Sequence, residues 1–313
     1  MGRGIVLYAL KRLIAAVAVL WVILSLVFVA GRMIGDPARL ILGAEAETAR
    51  VAALRADLGL DEPMFYQYGS FMRGAVTGDF GISFWQNVPA MQLVLDRVPA
   101  TLYLAAVAII IAVPIAIVSG VFAAWRPNSL IDRATTVGSL ATASVVEFWL
   151  ALMLIMVFAV HLGWFPTSGY QGIGLSGVQY LVLPAAVLVL RPIGRIAQVT
   201  RSSVLDEMGK PYTTAAKARG FNSQRVLYRH GLRNASVPII TLSADELLSM
   251  VNGLVVLEAV FAWPGIGQLM VQAIQRRDLP TVEAVVFVIG TMVVLINLVV
   301  DLLYARLNPR IRY

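Results

Sequence analysis

Cysteine is absent from the 313-residue sequence, and histidine occurs only twice. The lack of cysteine excludes disulfides, thiolate metal sites and cysteine nucleophiles. His161 and His230 are far apart and have no carboxylate partner at the spacing of a metal site, so we expect no bound metal. A phosphate-binding loop is missing as well, because Gly209-Lys210 lacks the upstream glycine that such a loop needs. We therefore expect neither an enzymatic activity nor a cofactor in this chain.

Charged residues are also scarce, at 14% against 59% hydrophobic residues, and the mean hydropathy is +0.79. A soluble domain carries about 25% charged residues, so the composition indicates a membrane protein. The formal net charge of +7 would suit a nucleic-acid partner. The basic residues, however, flank apolar segments, as the positive-inside rule describes. We therefore expect contact with a lipid bilayer and no nucleic acid.

Six apolar segments approach or exceed the ~20 residues that cross a bilayer, which predicts six transmembrane helices. They lie at residues 13–30, 101–124, 135–162, 179–198, 237–256 and 281–304. Lysine and arginine concentrate at positions that place both termini in the cytoplasm. The predicted regions are a first helix at 1–31, an extracytoplasmic loop at 32–99, and a five-helix core at 100–313 that contains a cytoplasmic loop at 203–236.

A basic segment at residues 212–238 separates the fourth and fifth apolar segments and predicts two helices joined by a tight turn. Pro211 suits the first turn of a helix that runs to Arg219. Gly220 suits its C-terminal end, because glycine adopts the left-handed conformation without a steric clash. Asn222 or Ser223 can then cap a second helix at 224–234.

This basic segment also carries a sequence motif, since Thr214-Ala215-Ala216-Lys217-Ala218-Arg219-Gly220 follows the pattern E-A-A-x-x-x-G with threonine in place of glutamate. A longer match extends from Tyr212 through Arg229-His230-Gly231-Leu232-Arg233-Asn234-Ala235 to Pro238. Further matching stretches are Gly35-Asp36-Pro37, residues 58–63, residues 301–304 and residues 308–312. Together these motifs resemble the dipeptide, oligopeptide and nickel branch of permease subunits from ATP-binding-cassette (ABC) importers.

The resemblance implies an all-α, type I ABC-importer permease fold in a bacterial or archaeal cytoplasmic membrane. It also implies four kinds of partner: a homologous second permease, two cytoplasmic ATPase subunits that bind ATP and Mg²⁺, an extracytoplasmic substrate-binding protein, and lipid. Di- or oligopeptides would be the commonest cargo, with nickel or another small solute as the alternative. The residues expected to couple to the ATPase are Tyr212, Thr214, Ala215, Ala216, Lys217, Ala218, Arg219 and Gly220.

The extracytoplasmic loop holds two local patterns. Residues 44–58 alternate apolar and charged side chains at helical spacing, which predicts an amphipathic helix. The aromatic cluster of Phe65, Tyr66, Tyr68 and Phe71 favours a position on the membrane interface. A platform that receives the binding protein is the second interpretation.

Polar residues within the apolar segments predict a translocation path. Ionisable groups are costly in hydrocarbon and normally face water or a partner. Four of the fifth-segment residues repeat at i, i+4, i+8 and i+11, which places them on one helix face. The predicted path residues are Glu147, Thr241, Asp245, Glu246, Ser249 and Asn252. Pairing between helices, such as Arg191 with Glu147 or Asp245, is the alternative explanation.

Two other functional classes compete with the importer. A proton-driven secondary transporter would use Asp245, Glu246 and Glu147, but the sequence shows no broken-helix pairs of the kind that many such transporters have. A structural scaffold would not need polar residues along one face of a membrane-spanning helix.

Overall fold

The computed structural model describes residues 2–34, 37–42, 46–57, 59–172 and 174–307. These residues are mainly helical. They contain no β-strand, and a single isolated β-bridge joins Ile82 and Pro89. The α-helices are α1 (Gly2–Ile34), α2 (Pro37–Leu42), α3 (Thr48–Asp57), α4 (Met64–Thr77), α5 (Ala90–Trp125), α6 (Leu130–Ser144), α7 (Glu147–Leu154), α8 (Val178–Met208), α9 (Pro211–Ala218), α10 (Ser223–Val226), α11 (Arg233–Val260), α12 (Ile266–Gln275) and α13 (Leu279–Leu307). Two π-helical turns, Ile155–His161 and Leu227–Leu232, and a 3₁₀ turn, Leu175–Gly177, lie between them.

The structure has four unbroken candidate spans, and six if each of two bent helix pairs is counted as one span. Four helical stretches are long and apolar enough to cross a membrane: Lys11–Met33, Ala90–Trp125, Val178–Met208 and Leu279–Asp301. The other two spans are helix pairs, namely Leu130–Ser144 with Glu147–His161, and Arg233–Val251 with Gly253–Val260. The chain is therefore an all-α polytopic membrane protein.

The third span is not the single straight helix that the sequence predicts over 135–162. Its two halves, α6 and α7, meet at an angle of 102°. Val145 and Val146 take extended backbone conformations at the break. Both are β-branched residues, which favour extended backbone, but neither is the glycine or proline that marks a break in a sequence. The expectation that broken-helix pairs are absent was therefore wrong.

The amphipathic helix predicted at 44–58 is present, but it does not cover the whole predicted range. Helix α3 covers Thr48–Asp57, whereas residues 44, 45 and 58 lie outside the described residues. The motif residues Gly35 and Asp36, as well as residues 308–312, also lie outside them. The predicted regions 1–31, 32–99 and 100–313 remain a prediction.

The described residues divide into two compact units. The first comprises the described residues up to Thr101 together with Pro264–Val299, and the second comprises Leu102–Trp263 with the described residues from Val300 onward. In the first unit, the buried carboxylate of Asp278 accepts hydrogen bonds from Ser83 Oγ (2.5 Å), Phe84 N (3.0 Å) and Thr281 Oγ1 (2.7 Å). Asp278 therefore fixes the loop before α5 to the beginning of α13.

Small residues allow close helix packing in the second unit. A Cβ atom added to Gly120 on α5 would lie 2.5 Å from the carbonyl oxygen of Ala197 and 2.6 Å from Cβ of Thr200, both on α8. A Cβ added to Gly194 on α8 would lie 3.0 Å from Cα of Ser139 on α6. Because apolar surface gains nothing by leaving lipid, such close backbone contacts are a main source of helix association in membranes. Helix α8 is thereby held between α5 and α6, and it carries the charged residues described below.

Candidate coupling segment and intramembrane charge cluster

Helix α9 and the turn after it form the first half of the predicted helix–turn–helix segment. The helix begins at Pro211, as predicted, and ends at Ala218, one residue before the predicted end. Gly220 follows with φ of +84°. An added Cβ there would meet nothing within 4 Å, so the backbone conformation alone requires glycine at this position.

Tyr212 connects α9 to the helices on both sides of it. Its hydroxyl donates a hydrogen bond to Glu207 on α8 and accepts one from Nδ2 of Asn234 on α11 at 2.8 Å. Lys210 pairs with the same Glu207 carboxylate. Burial and the hydrogen bond to Glu207 raise the pKa of Tyr212, so the phenol keeps its proton at neutral pH and remains a donor. The hydrogen bond with Glu207 likewise raises the pKa of Lys210.

Thr213 anchors α9 from its inner side. Its side chain is fully buried, and Oγ1 donates to the carbonyl oxygens of Met208 (2.8 Å) and Lys210 (2.6 Å). Neither Thr213 nor Glu207 was among the predicted site residues. The opposite side of the segment is open: Ala216 is half-buried, and the exposed residues are Thr214, Ala215, Ala218, Arg219 and Gly220. The side chain of Lys217 lies outside the described part of the chain.

The second half of the segment differs from the prediction. Asn222, rather than Ser223, is the N-cap, and its side chain accepts a hydrogen bond from the backbone N–H of Gln224. The helix does not end at Asn234 but passes through the π turn Leu227–Leu232 directly into α11. Pro238 removes one backbone hydrogen bond, but no glycine follows Asn234 to end the helix, so the chain remains helical.

Five charged residues from three helices meet within the spans of the second unit. We call Glu147, Arg191, Arg195, Asp245 and Glu246 the charge cluster. The Nη1 atom of Arg191 lies 3.8 Å from Oε1 of Glu147, and Arg195 forms an ion pair with Glu246. Asp245 and the Arg191–Glu147 pair lie within electrostatic reach of Glu246. The pairing of Arg191 with Glu147, one of the two pairings considered from the sequence, is therefore present.

The predicted path residues on α11 differ in their exposure. Thr241 and Asp245 are exposed and Ser249 is half-buried, so these three share an open face. Glu246 points elsewhere, because its side chain is only 2% exposed and contacts Arg195. The side chain of Asn252 lies outside the described residues. The role of these residues in a path stays a prediction.

Glu147 also lies against the backbone of α11. A Cβ added to Gly253 would overlap the Oε2 atom of Glu147. The first residue of α7, immediately after the 102° break, therefore packs against a glycine on α11 while its other carboxylate oxygen faces Arg191. No sequence signal identified Gly253, because the contact joins residues more than 100 positions apart.

A further ion pair that sequence reasoning missed joins α6 to α8. Arg201 donates to both carboxylate oxygens of the buried Asp132, with Nη2 at 2.9 Å from Oδ2. The same carboxylate accepts a hydrogen bond from the backbone N–H of Asn128 at 2.8 Å. The position of Asp132 three residues after the N-cap Ser129 indicates a helix start, but it does not identify the partner on α8.

The chain is similar to known membrane components of transport systems. Residues 116–313 match the family model described as binding-protein-dependent transport system inner membrane component, and residues 5–105 match the N-terminal model of the same system. A protein of Brucella abortus (strain 2308) named as a peptide transport system permease is 39% identical over 308 residues, which cover 97% of this chain and 98% of that protein. The glutathione transport system permease GsiC of Escherichia coli (strain K12) is 37% identical over 308 residues, which cover 98% and 99%.

Two solved structures share the fold. An amino acid ABC transporter crystallised with histidines matches with a TM-score of 0.52 and 15% identity, over 69% of this chain and 94% of that one. The inward-facing MetNI methionine ABC transporter matches with a TM-score of 0.50 and 19% identity, over 70% and 97%. With both family models and near-full-length relatives in agreement, the chain belongs to the family of inner-membrane permease components of binding-protein-dependent ABC transport systems.

Proposed function

We propose that the chain imports short peptides across a bacterial inner membrane and provides half of the translocation path. A homologous permease provides the other half, two cytoplasmic ATPase subunits hydrolyse ATP, and an extracytoplasmic binding protein delivers the cargo. The names of the relatives in Brucella abortus and Escherichia coli support a peptide or glutathione-like cargo. The observation that carries the coupling role is α9, a short exposed helix that Tyr212 ties to α8 and α11.

Coupling follows from the way α9 is held. Its exposed residues Thr214, Ala215 and Ala218 are small, so the groove of an ATPase subunit can approach the backbone closely. A displacement of α9 is passed to α8 through Glu207 and to α11 through Asn234, because Tyr212 bonds to both. Closure of the ATPase subunits would thereby reorient α8 and α11, two of the three helices that carry the charge cluster.

The binding protein would dock on the extracytoplasmic side. On α4, Met64, Phe65 and Tyr66 are exposed, with Phe65 at 85%. These side chains suit a protein partner, and they also suit insertion into the membrane interface. Substituting Phe65 by serine distinguishes the two: loss of stimulation by the binding protein with normal insertion supports docking.

The test of the proposed function is reconstitution of the complete importer in proteoliposomes. ATP inside the vesicles and the binding protein outside should together drive uptake of a labelled tripeptide. Competition by glutathione or by nickel identifies the other cargo candidates. Uptake of nickel alone, without peptide uptake, would contradict the peptide assignment but retain the importer.

The orientation is tested separately with reporter fusions. A reporter after Tyr313 or within residues 222–224 should be cytoplasmic, and one within residues 172–177 should be outside. A reporter at 222–224 found outside the cell would exclude contact between α9 and a cytoplasmic ATPase.

The alternative considered from the sequence, a proton-driven secondary transporter, is disfavoured because the chain belongs to an ABC permease family, although two features resemble those of such transporters. The bent pair of α6 and α7 resembles the discontinuous helices of such transporters, and the charge cluster contains three carboxylates. This candidate requires that a protonophore abolishes uptake and that the ATPase subunits are dispensable. Uptake that needs ATP and survives the protonophore excludes it.

A further inference from the structure

Arg191 and Arg195 lie one helical turn apart on α8, but they have different partners. Arg195 contacts Glu246, which is 2% exposed. Arg191 faces Glu147 across 3.8 Å, which is longer than a hydrogen bond, and the two side chains are 40% and 28% exposed. In the Arg195–Glu246 pair the carboxylate is therefore buried, whereas both side chains of the Arg191–Glu147 pair are accessible.

The open pair must face water or a partner rather than lipid. A guanidinium and a carboxylate that meet hydrocarbon are strongly disfavoured, and charged groups in spans mark substrate routes. Asp245, exposed on α11, adds a second carboxylate within the same cluster. The cluster thus offers one arginine that is not held in a close ion pair, Arg191, together with two accessible carboxylates.

This arrangement complements a molecule with a carboxylate and an ammonium group at its two ends. Arginine is suited to a carboxylate because its planar fork donates two parallel hydrogen bonds. Glu147 and Asp245 would receive the ammonium group. Because Arg191 and Glu147 form only a long contact with each other, a ligand can form hydrogen bonds that the pair itself does not form.

We propose that Arg191, with Glu147 and Asp245, binds the charged termini of a peptide during translocation, and that Arg195–Glu246 holds α8 and α11 in place beside it. The inference deepens the proposed peptide function and rests on it. The cargo class it assigns is a zwitterion with a free C-terminal carboxylate, and Arg191 is the residue that recognises that carboxylate.

The test compares trialanine with its C-terminal amide in the reconstituted importer, each at a concentration that saturates the binding protein. Loss of a charge-assisted hydrogen bond weakens binding about 10- to 100-fold. Arg191→Gln should therefore reduce transport efficiency for trialanine by about that factor and leave transport of the amide unchanged. Arg126→Gln, an arginine change outside the cluster, is the matched control and should alter neither.

Chemical rescue separates charge from structure. The natural chain has no cysteine, so Arg191→Cys offers one defined thiol in this subunit, with the reagent-treated wild-type complex as control. Attachment of an aminoethyl group should restore trialanine transport at least in part, whereas attachment of a sulfonatoethyl group should not. Rescue by both groups would indicate a steric role and overturn the proposal.

Each remaining outcome is also decisive. An unchanged Arg191→Gln variant, or one that loses the acid and the amide to the same extent, overturns carboxylate recognition. Failure of the wild-type importer to take up trialanine at all, with ATP and binding protein present, contradicts the proposed peptide function itself and this inference with it.

Discussion

The hydroxyl of Tyr212 lies 2.8 Å from Nδ2 of Asn234, across 22 residues of the chain. The same hydroxyl donates to Glu207, so one side chain joins α8, α9 and α11. The matched motif therefore contains two kinds of residue. Ala215 and Ala218 remain open to a partner, whereas Tyr212 holds the helix that presents them.

Tyr212→Phe should uncouple ATP hydrolysis from transport. The change removes both hydrogen bonds but keeps the ring, and we expect it to cost about 1 kcal/mol of folding stability because Tyr212 is partly exposed. The number of ATP molecules hydrolysed per peptide should rise, while the level in the membrane stays normal. Tyr228→Phe, at an exposed tyrosine, is the control. A normal ratio in Tyr212→Phe would mean that α9 is held by other contacts.

Gly220→Val should impair transport without preventing insertion. A β-branched residue at φ of +84° costs about 1–2 kcal/mol, and space around the position is not limiting. Asparagine tolerates this conformation better, so Gly220→Asn should retain more transport than Gly220→Val. Equal activity of the two variants would show that the turn relaxes freely. Membrane levels by immunoblot and uptake in vesicles provide the measurement.

Ala216→Arg should weaken association with the ATPase subunits. A long charged side chain in a close contact typically costs about 1–3 kcal/mol, and Ala216 is the half-buried member of the motif. Lys217→Ala should be milder, because a charge at the rim is worth roughly 0–1 kcal/mol. Co-purification of the ATPase is the readout. Full transport and full association in Ala216→Arg would exclude α9 as the coupling element.

Asp132→Ala should destabilise the protein rather than alter transport selectivity. It leaves the guanidinium of Arg201 without its carboxylate, and breaking a buried pair costs about 3 kcal/mol when one partner is partly exposed. Thermal unfolding in detergent should occur at a lower temperature. Asp206→Asn, at an exposed position on the same helix as Arg201, should leave it unchanged. An unaltered Asp132→Ala would mean that water replaces the carboxylate.

Cysteines on the open face of α11 should react with water-soluble maleimides. Asp245→Cys and Ser249→Cys lie on the exposed to half-buried face, and Met250→Cys, at a buried position, is the control. We expect faster labelling at 245 and 249 than at 250, and slower labelling when peptide is present. Equal protection at all three positions would favour a dry helix interface over a path.

Local chemistry explains which features could be predicted from the sequence. Pro211, Gly220 and Asn222 each act through their own backbone or side chain, so the helix start, the turn and the cap follow from residue type. The six spans follow from length and apolarity. For the helix start, the turn and the cap, the determining residue lies within one turn of the feature; for a span, the whole signal lies within one continuous apolar segment.

Most features that depend on distant contacts could not be predicted; the Arg191–Glu147 pairing is an exception, because charged residues in spans need partners. The bend between α6 and α7 lies at two valines, a residue type that is common in apolar segments and does not mark a break. Glu207, Asp132 and Glu246 each have a partner on another helix, namely Tyr212, Arg201 and Arg195. The α11 stripe was assigned by periodicity, which places Asp245 on the stripe and Glu246 beside it but gives neither the burial nor the partner of Glu246.

The contact between Gly253 and Glu147 predicts that substitutions at these two positions depend on each other. A methyl group at position 253 carries no charge, yet it would push the Glu147 carboxylate away from its place beside Arg191. An uncharged substitution at position 253 can therefore disturb the Arg191–Glu147 ion pair. We expect a shorter acid at position 147 to compensate for it. Among related permeases we expect the two positions to covary, with glycine at 253 wherever glutamate occupies 147 and aspartate or a neutral residue where 253 bears a side chain.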